Sequence, residues 1–110
     1  MKLPNGHNAV IEDSKLRDYC LSPSHPRGKH KARLFAAALG YTLTHVDDLR
    51  TALLNAANTA EAIYTRTTEF GTFYSIEFDC DGPICSGRLL SIWTIQNAEI
   101  FPRLVTCYPV

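Results

Sequence analysis

The chain has 110 residues, of which 45% are hydrophobic and 20% charged, with equal numbers of acidic and basic side chains. This length accommodates one domain, residues 1–110, and the composition excludes a disordered chain. No stretch approaches the roughly 18 consecutive apolar residues of a membrane-spanning helix, and the first residues lack the apolar stretch of a secretory signal. We therefore expect a cytoplasmic protein without a membrane partner.

The charge is unevenly distributed along the chain. Residues 1–33 contain seven Lys or Arg and three acidic side chains, whereas residues 34–110 contain four basic and eight acidic ones. This asymmetry indicates either a basic surface that faces an anion or two ends of a neutral protein that attract each other.

The first sixty residues predict three helices, over about residues 13–20, 28–39 and 44–58. The prolines and glycine of residues 21–28 separate the first two, and Thr44 is the expected N-cap of the third. After Ala60 the apolar period changes to two, which predicts strands over the four segments 63–70, 72–80, 88–96 and 103–108. We expect an α+β fold with about three N-terminal helices packed on a C-terminal antiparallel sheet of about four strands.

The four cysteines, Cys20, Cys80, Cys85 and Cys107, have neither the spacing of a zinc ribbon nor that of a zinc finger. We therefore expect free thiols, no metal site and no cofactor. Cys107 lies in an apolar strand, where a cysteine is most simply a small buried hydrophobic residue.

The run of residues 25–33 is the most informative segment, because it contains two histidines and four basic side chains without an acid. Lys29 and Lys31 stand at a predicted helix N-terminus, where backbone N–H groups favour an anion and cations are unfavourable until one binds. We predict an anion site here, with Arg27, Lys29 and Arg33 as binding residues. The alternative is a solvated basic loop in which the Lys31 stem packs on the sheet.

Two histidines beside cations also suit the cleavage of RNA without a metal. The reaction needs a base for the 2′-hydroxyl, an acid for the leaving oxygen, and cations for the phosphorane charge. His25 and His30 can share the first two tasks, with Lys31 as the clamp. The alternative is that both histidines are surface or packing residues.

The last two strands carry polar groups among apolar ones. Arg88 is predicted to stabilise charge and Thr106 to donate a hydrogen bond to the phosphate. Arg103 and Tyr108 are predicted as further binding residues. Strict alternation would place Leu104, Thr106 and Tyr108 on one face of the last strand. Trp93 is expected in the core, since its neighbours are apolar.

Several segments together resemble a family of small bacterial domains of unknown function. They are residues 1–6, 15–21, the His-Pro-x-Gly-x-x-Lys-Ala core at 25–32, Leu39-Gly40, and the ending Trp93-Thr94-Ile95 with Phe101-Pro102-Arg103-Leu104-Val105-Thr106-Cys107-Tyr108. The resemblance singles out Lys15, Tyr19, His25, Gly28, His30, Lys31, Arg88, Trp93, Pro102 and Arg103.

Members of that family occur alone, beside a small partner gene, or at the C-terminal end of polymorphic toxins. The resemblance therefore implies a toxin module with a cognate neutralising protein. The order of helices and sheet, with the Trp…Leu-Val-Thr-x-Tyr ending, also resembles the barnase–EndoU–colicin–RelE group of metal-independent RNases, a likeness of layout and ending and not of a full motif.

We accordingly predict a toxin-like, metal-independent ribonuclease whose partners are RNA and an acidic neutralising protein. The alternative is a non-catalytic module of a two-gene system that binds nucleic acid or a partner.

Overall fold

The computed structural model describes all 110 residues, with the helices first and the sheet at the C-terminus. The helices are α1 (Asp13–Lys15), which continues into a π-helical segment (Leu16–Cys20), α2 (Lys29–Ala38) and α3 (Val46–Thr59). The strands are β1 (Ile63–Thr67), β2 (Gly71–Asp81), β3 (Ser86–Gln96) and β4 (Arg103–Pro109). The expected α+β class and order of elements are confirmed. None of the helices has the length and apolar character needed to cross a bilayer.

The helices bury the side chains that their apolar spacing selects. Phe35 of α2 is fully buried, as are Leu49 and Leu53 of α3. The N-cap of α3 is His45, one residue later than the expected Thr44, and Thr42 is the N-cap of the short turn before it. A 3-10 turn precedes the helix there, and the backbone N–H of Thr42 donates to Nδ1 of His45 at 3.0 Å. This arrangement, and not one centred on Thr44, starts the third helix.

The four strands form one antiparallel sheet in the order β1–β2–β3–β4. Residues 68–70 join β1 to β2, and backbone hydrogen bonds between Thr68 and Gly71 close this turn. The other edge strand, β4, is flanked by the N-terminal segment, because Val10 forms a parallel bridge with Arg103. This bridge places the residues that follow Val10 beside β4.

A bulge at Val105 overturns the expected alternation in β4. Leu104 pairs with Trp93, but Thr106 pairs with Ile92, so one residue of β4 has no partner. Because partners across an antiparallel pair share a face, Leu104 and Thr106 lie on opposite faces of the sheet. Strict alternation cannot reveal an inserted residue, and the prediction that both share a face is wrong.

The core lies between the helices and one face of the sheet. Trp93 and Cys107 are fully buried there, as expected. The indole N–H of Trp93 donates to Oγ of Ser91 at 2.9 Å, and the Ser91 hydroxyl donates to the carbonyl of Ile76 at 3.0 Å. These two hydrogen bonds give the buried polar groups of Trp93 and Ser91 partners within the protein.

Candidate functional site

A cleft of about 610 Å³ lies between the π-helical segment, the start of α2 and β4. It is where the basic run of residues 25–33 meets the last strand. Its lining combines basic, acidic and hydroxyl side chains: Glu12, Ser14, Lys15, Asp18, Tyr19, His25, Lys31, Val105 and Thr106.

His25 closes the turn that precedes α2. Its Nδ1 accepts hydrogen bonds from the backbone N–H groups of Arg27 at 3.0 Å and Gly28 at 2.8 Å. A nitrogen that accepts two N–H groups carries no proton, so the neutral ring is protonated at Nε2. The Tyr19 ring packs edge-on against the imidazole, with centroids 4.9 Å apart. His25 therefore lines the cleft with Nε2–H as its free donor.

Gly28 allows α2 to approach the π-helical segment closely. A Cβ at this position would lie 2.2 Å from the carbonyl oxygen of Tyr19, a contact that no side chain can make. The close approach brings the first turn of α2 against Tyr19. It thereby positions Lys31, the third residue of the helix, at the cleft.

Lys31 is a half-buried cation between two aromatic rings. Its Nζ donates to the hydroxyl of Tyr19 at 3.2 Å, and lies 4.9 Å from the centroid of the Tyr19 ring and 5.6 Å from that of Tyr108. No acidic side chain forms an ion pair with it. Since an ammonium has three N–H donors, two remain for a ligand.

The hydroxyl of Thr106 completes the wall of the cleft on β4. Its Oγ1 is buried and has no hydrogen-bond partner. Leaving a buried hydroxyl unpaired costs about 1–3 kcal/mol. Because the atom is almost completely shielded, it can reach a ligand only if the side chain turns towards the cleft.

The unpaired cations of the protein concentrate around this region. Elsewhere Arg17, Arg50, Arg88 and Arg103 are each bound to carboxylates. The basic side chains at positions 15 and 27–33 form no ion pair: Lys15, Arg27, Lys29, Lys31 and Arg33. The result is a local excess of positive charge, which favours an anionic partner.

Seven of the ten residues predicted for the site do not line the cleft, and Tyr108 is one of them, although its ring flanks Lys31. His30 is exposed on α2, where successive residues are about 100° apart around the axis, so its side chain diverges from that of Lys31. Arg88 reaches across to β2, where hydrogen bonds to Asp79 (2.6 Å) and Glu77 (3.0 Å) raise its pKa.

Arg103 is held by a two-pronged hydrogen bond to Glu99, with both N–O distances 2.8 Å, and by Glu12 at 3.3 Å. The hydrogen bond to Glu99 raises the pKa of Arg103. Its guanidinium is therefore occupied within the protein and does not line the cleft.

Lys29 and Arg33 line a second groove, of about 420 Å³, on the other side of α2. Its remaining lining is largely apolar: Leu21, Pro23, Ala32, Ala36, Tyr41, Thr42, Leu43 and Thr44. Arg27 is exposed and lines neither the groove nor the cleft. The predicted binding cations are thus divided between two surfaces.

The structure adds Lys15, Asp18 and Tyr19 to the residues predicted for the cleft. Lys15 and Tyr19 are among the positions that the family resemblance singles out, and their spacing of four residues places them on one side of the helical turn. Asp18 forms no ion pair. Nothing in the sequence distinguishes it from other exposed acids.

Residues 2–110 match the family described as Domain of unknown function (DUF6883). The chain belongs to this family. The match covers almost every residue of the chain, so the expected membership of a family of domains of unknown function is confirmed. No curated protein and no solved structure matches the chain. The description of DUF6883 assigns no activity, and the use of the cleft is argued from its residues.

Proposed function

We propose that the cleft binds a phosphodiester of RNA and that the protein is a toxin-like, metal-independent ribonuclease. One observation carries the proposal: Lys31 is a half-buried cation without an acidic partner, in a cleft shared with His25 and Thr106. A phosphate oxygen would supply the missing counter-charge and would accept hydrogen bonds from these side chains.

The surroundings of Lys31 suit a nucleic acid better than an isolated phosphate. The rings of Tyr19 and Tyr108 flank its ammonium. Aromatic rings beside unpaired cations are typical of surfaces that bind single-stranded nucleic acid. The unpaired Arg27, outside the cleft, can contact a neighbouring phosphate of the same strand.

The proposed reaction is transfer of the phosphate to the ribose 2′-oxygen. The carboxylate of Asp18 takes the proton of the 2′-hydroxyl, the 2′-oxygen–phosphorus bond forms, and the phosphorus–5′-oxygen bond breaks. The ammonium of Lys31 gives its proton to the departing 5′-oxygen. The products are a 2′,3′-cyclic phosphate and a 5′-hydroxyl, and no metal or cofactor takes part.

His25 acts in this scheme as a hydrogen-bond donor. Its Nδ1 already accepts from the backbone of Arg27 and Gly28, so the ring cannot take up a proton there without breaking both bonds. The Nε2–H can instead stabilise the charge that develops on the phosphoryl oxygens, together with Thr106. We therefore propose Asp18 and Lys31 as base and acid, instead of the His25 and His30 that the sequence predicts.

The engagement of the His25 ring in the turn favours a second candidate function, that of a non-catalytic module that binds nucleic acid. A cleft whose histidine is engaged as a turn-closing acceptor can hold phosphate without any proton transfer. The two functions predict the same binding residues and differ only in turnover.

Incubation of structured and unstructured RNA with the purified protein in EDTA distinguishes the ribonuclease from the non-catalytic module. We expect cleavage with cyclic-phosphate ends, reduced about 100-fold or more by Asp18→Asn, as for loss of a general base. Lys31→Ala should abolish both binding and cleavage. Arg66→Ala, which changes an exposed arginine on β1 without an ion pair, serves as the control.

The variant His25→Asn retains a side-chain acceptor for the turn but lacks the imidazole N–H. It should fold normally and lose most of the activity. RNA that binds without cleavage identifies the non-catalytic module, and a strict requirement for a metal contradicts the metal-independent mechanism. Arrested bacterial growth on expression, relieved by Asp18→Asn, would support the toxin-like role.

We also propose that a neutralising protein binds the groove beside α2. The groove combines an apolar floor with two unpaired cations, Lys29 and Arg33, which fits an acidic segment bearing one or two aliphatic side chains. Such a complex should weaken at high salt and with Lys29→Glu. A partner whose affinity responds to neither would bind elsewhere, such as the exposed edge strand β1.

A further inference from the structure

Two cysteines that are far apart in the chain meet beneath the cleft. Cys20 ends the π-helical segment and Cys107 lies on β4, and both are fully buried. The thiol of Cys107 donates to Sγ of Cys20 at 3.9 Å, and the thiol of Cys20 donates to the carbonyl oxygen of Cys107 at 3.7 Å. Two sulfurs at van der Waals distance need to approach by only about 2 Å to form a disulfide.

The other two cysteines are not arranged in this way. Cys80 is buried against the hydroxyl of Tyr41, at 3.4 Å, and Cys85 is exposed. All four thiols are free. The chain therefore contains one pair of thiols in mutual contact, and an exposed cysteine that serves as an internal comparison.

The pair is also electrostatically asymmetric. The hydrogen bond from the Cys107 thiol, opposed by burial, lowers the pKa of Cys20 to about 7, and the nearby Thr106 hydroxyl and Lys31 charge contribute. The same hydrogen bond and burial raise the pKa of Cys107. Since the thiolate is the nucleophile, Cys20 is the sulfur that reacts first.

We propose that Cys20 and Cys107 are a redox modification site, at which a peroxide forms a disulfide that ties the π-helical segment to β4. The Cys20 thiolate attacks one oxygen of hydrogen peroxide, the O–O bond breaks, and the released hydroxide takes up a proton to form water. Cys107 then attacks the sulfur of the resulting sulfenic acid and displaces its hydroxyl group as a second water. Two thiols are oxidised by two electrons, and one peroxide is reduced to two waters.

The disulfide would act on the cleft through sequence neighbours. Tyr19 precedes Cys20 and Thr106 precedes Cys107, and both neighbours line the cleft. Drawing the two sulfurs together would move the backbone at Tyr19, and with it the hydroxyl that accepts the hydrogen bond from Lys31. The inference rests on the thiol pair alone and does not depend on what the cleft binds.

Peptide mapping after treatment of the folded chain with hydrogen peroxide tests the proposal. Trypsin separates Cys20, in residues 18–27, from Cys107, in residues 104–110, and leaves Cys80 and Cys85 together in residues 67–88. We expect the first two peptides to be cross-linked, and the link to disappear with dithiothreitol. The closed loop is long, so the oxidised chain should melt about 10 °C or more above the reduced chain.

Cys85→Ser should leave the cross-link unchanged, and Cys20→Ser should abolish it. Peptide mapping of the wild-type protein does not require any variant to fold, so it tests the proposed disulfide by itself. Oxidation confined to Cys85, a bond between Cys80 and Cys85, or an unlinked sulfinic acid at Cys20 would each overturn the proposal.

Discussion

The ammonium of Lys31 donates a hydrogen bond to the hydroxyl of Tyr19, over 3.2 Å, and this contact joins α2 to the π-helical segment. Cation–π contacts with the rings of Tyr19 and Tyr108 partly offset the free-energy cost of burying the Lys31 charge. Aromatic rings stabilise a cation without neutralising it. The contact therefore keeps a charged amine available in the cleft.

If this amine is the main anion ligand, inorganic phosphate should stabilise the protein through it. At constant ionic strength, phosphate at several times its dissociation constant should raise Tm by about 2–5 °C, the effect of roughly 1 kcal/mol of linkage. Lys31→Met should remove most of that rise, as followed by differential scanning fluorimetry. Arg66→Met is the control, and an equal rise in both variants would place the anion elsewhere.

Gly28→Ala should destabilise the protein by about 2–3 kcal/mol, because its Cβ would meet the backbone oxygen of Tyr19 at 2.2 Å and force α2 away. Gly87→Ala is the matched control. There the Cβ would meet only the end of the Leu39 side chain, at 3.3 Å, and we expect a change within about 1 kcal/mol. Urea unfolding measures both, and similar losses would contradict the close approach of α2.

Ser91→Ala should cost about 1–3 kcal/mol, since it leaves the buried indole N–H of Trp93 without an acceptor. The exposed Ser86, which donates to Asp81 at 2.7 Å, provides a comparison in which Ser→Ala should change stability by less than about 0.5 kcal/mol. A double-mutant cycle with Trp93→Phe measures the coupling directly. Additive losses would show that the indole and hydroxyl do not interact.

The ion pair of Glu99 with Arg103 should contribute to acid sensitivity. The hydrogen bond from Arg103 holds the pKa of Glu99 below its ordinary value of 4.5. A carboxyl with a lower pKa in the folded chain stabilises the protein above the unfolded value, and this stability is lost as the pH falls through the folded value. Glu99→Gln should therefore flatten the decline in stability below about pH 4.5, as measured by urea unfolding between pH 3 and 6.

Arg103→Met should flatten the same part of the pH profile, because it removes the partner that lowers the pKa. Arg88→Met breaks a different set of ion pairs and should leave the contribution of Glu99 to the pH dependence of stability intact. An unchanged slope in Glu99→Gln would mean that the pair does not persist in solution.

The regular parts of the fold follow from apolar periodicity. The stripe of Leu49 and Leu53 predicts α3, and the alternation of β2 around Ile76 predicts a strand with one buried face. The bulge at Val105 and the π-helical turn have no such signature, because each depends on one extra residue in an otherwise ordinary pattern. Both irregular features border the cleft.

Sequence reasoning finds the basic run but not which of its members point together. Lys31 enters the cleft and the adjacent His30 does not, a difference fixed by how α2 docks through Gly28. Arg88 is positioned by the register of β2 with β3, which places it opposite Asp79. The contact of Cys20 with Cys107 spans 87 positions and is visible only in three dimensions.

The extra residue in β4 also means that this strand can be shortened at one position without a change of register. Deleting Val105 would restore strict alternation between Leu104 and the end of the chain. Leu104 would still pair with Trp93, Thr106 with Ile92 and Cys107 with Ser91, so Cys107 would stay inside. Shortening β4 by this one residue therefore preserves the pairing of the strand and removes only the local bend and extra twist that the bulge gives it beside the cleft.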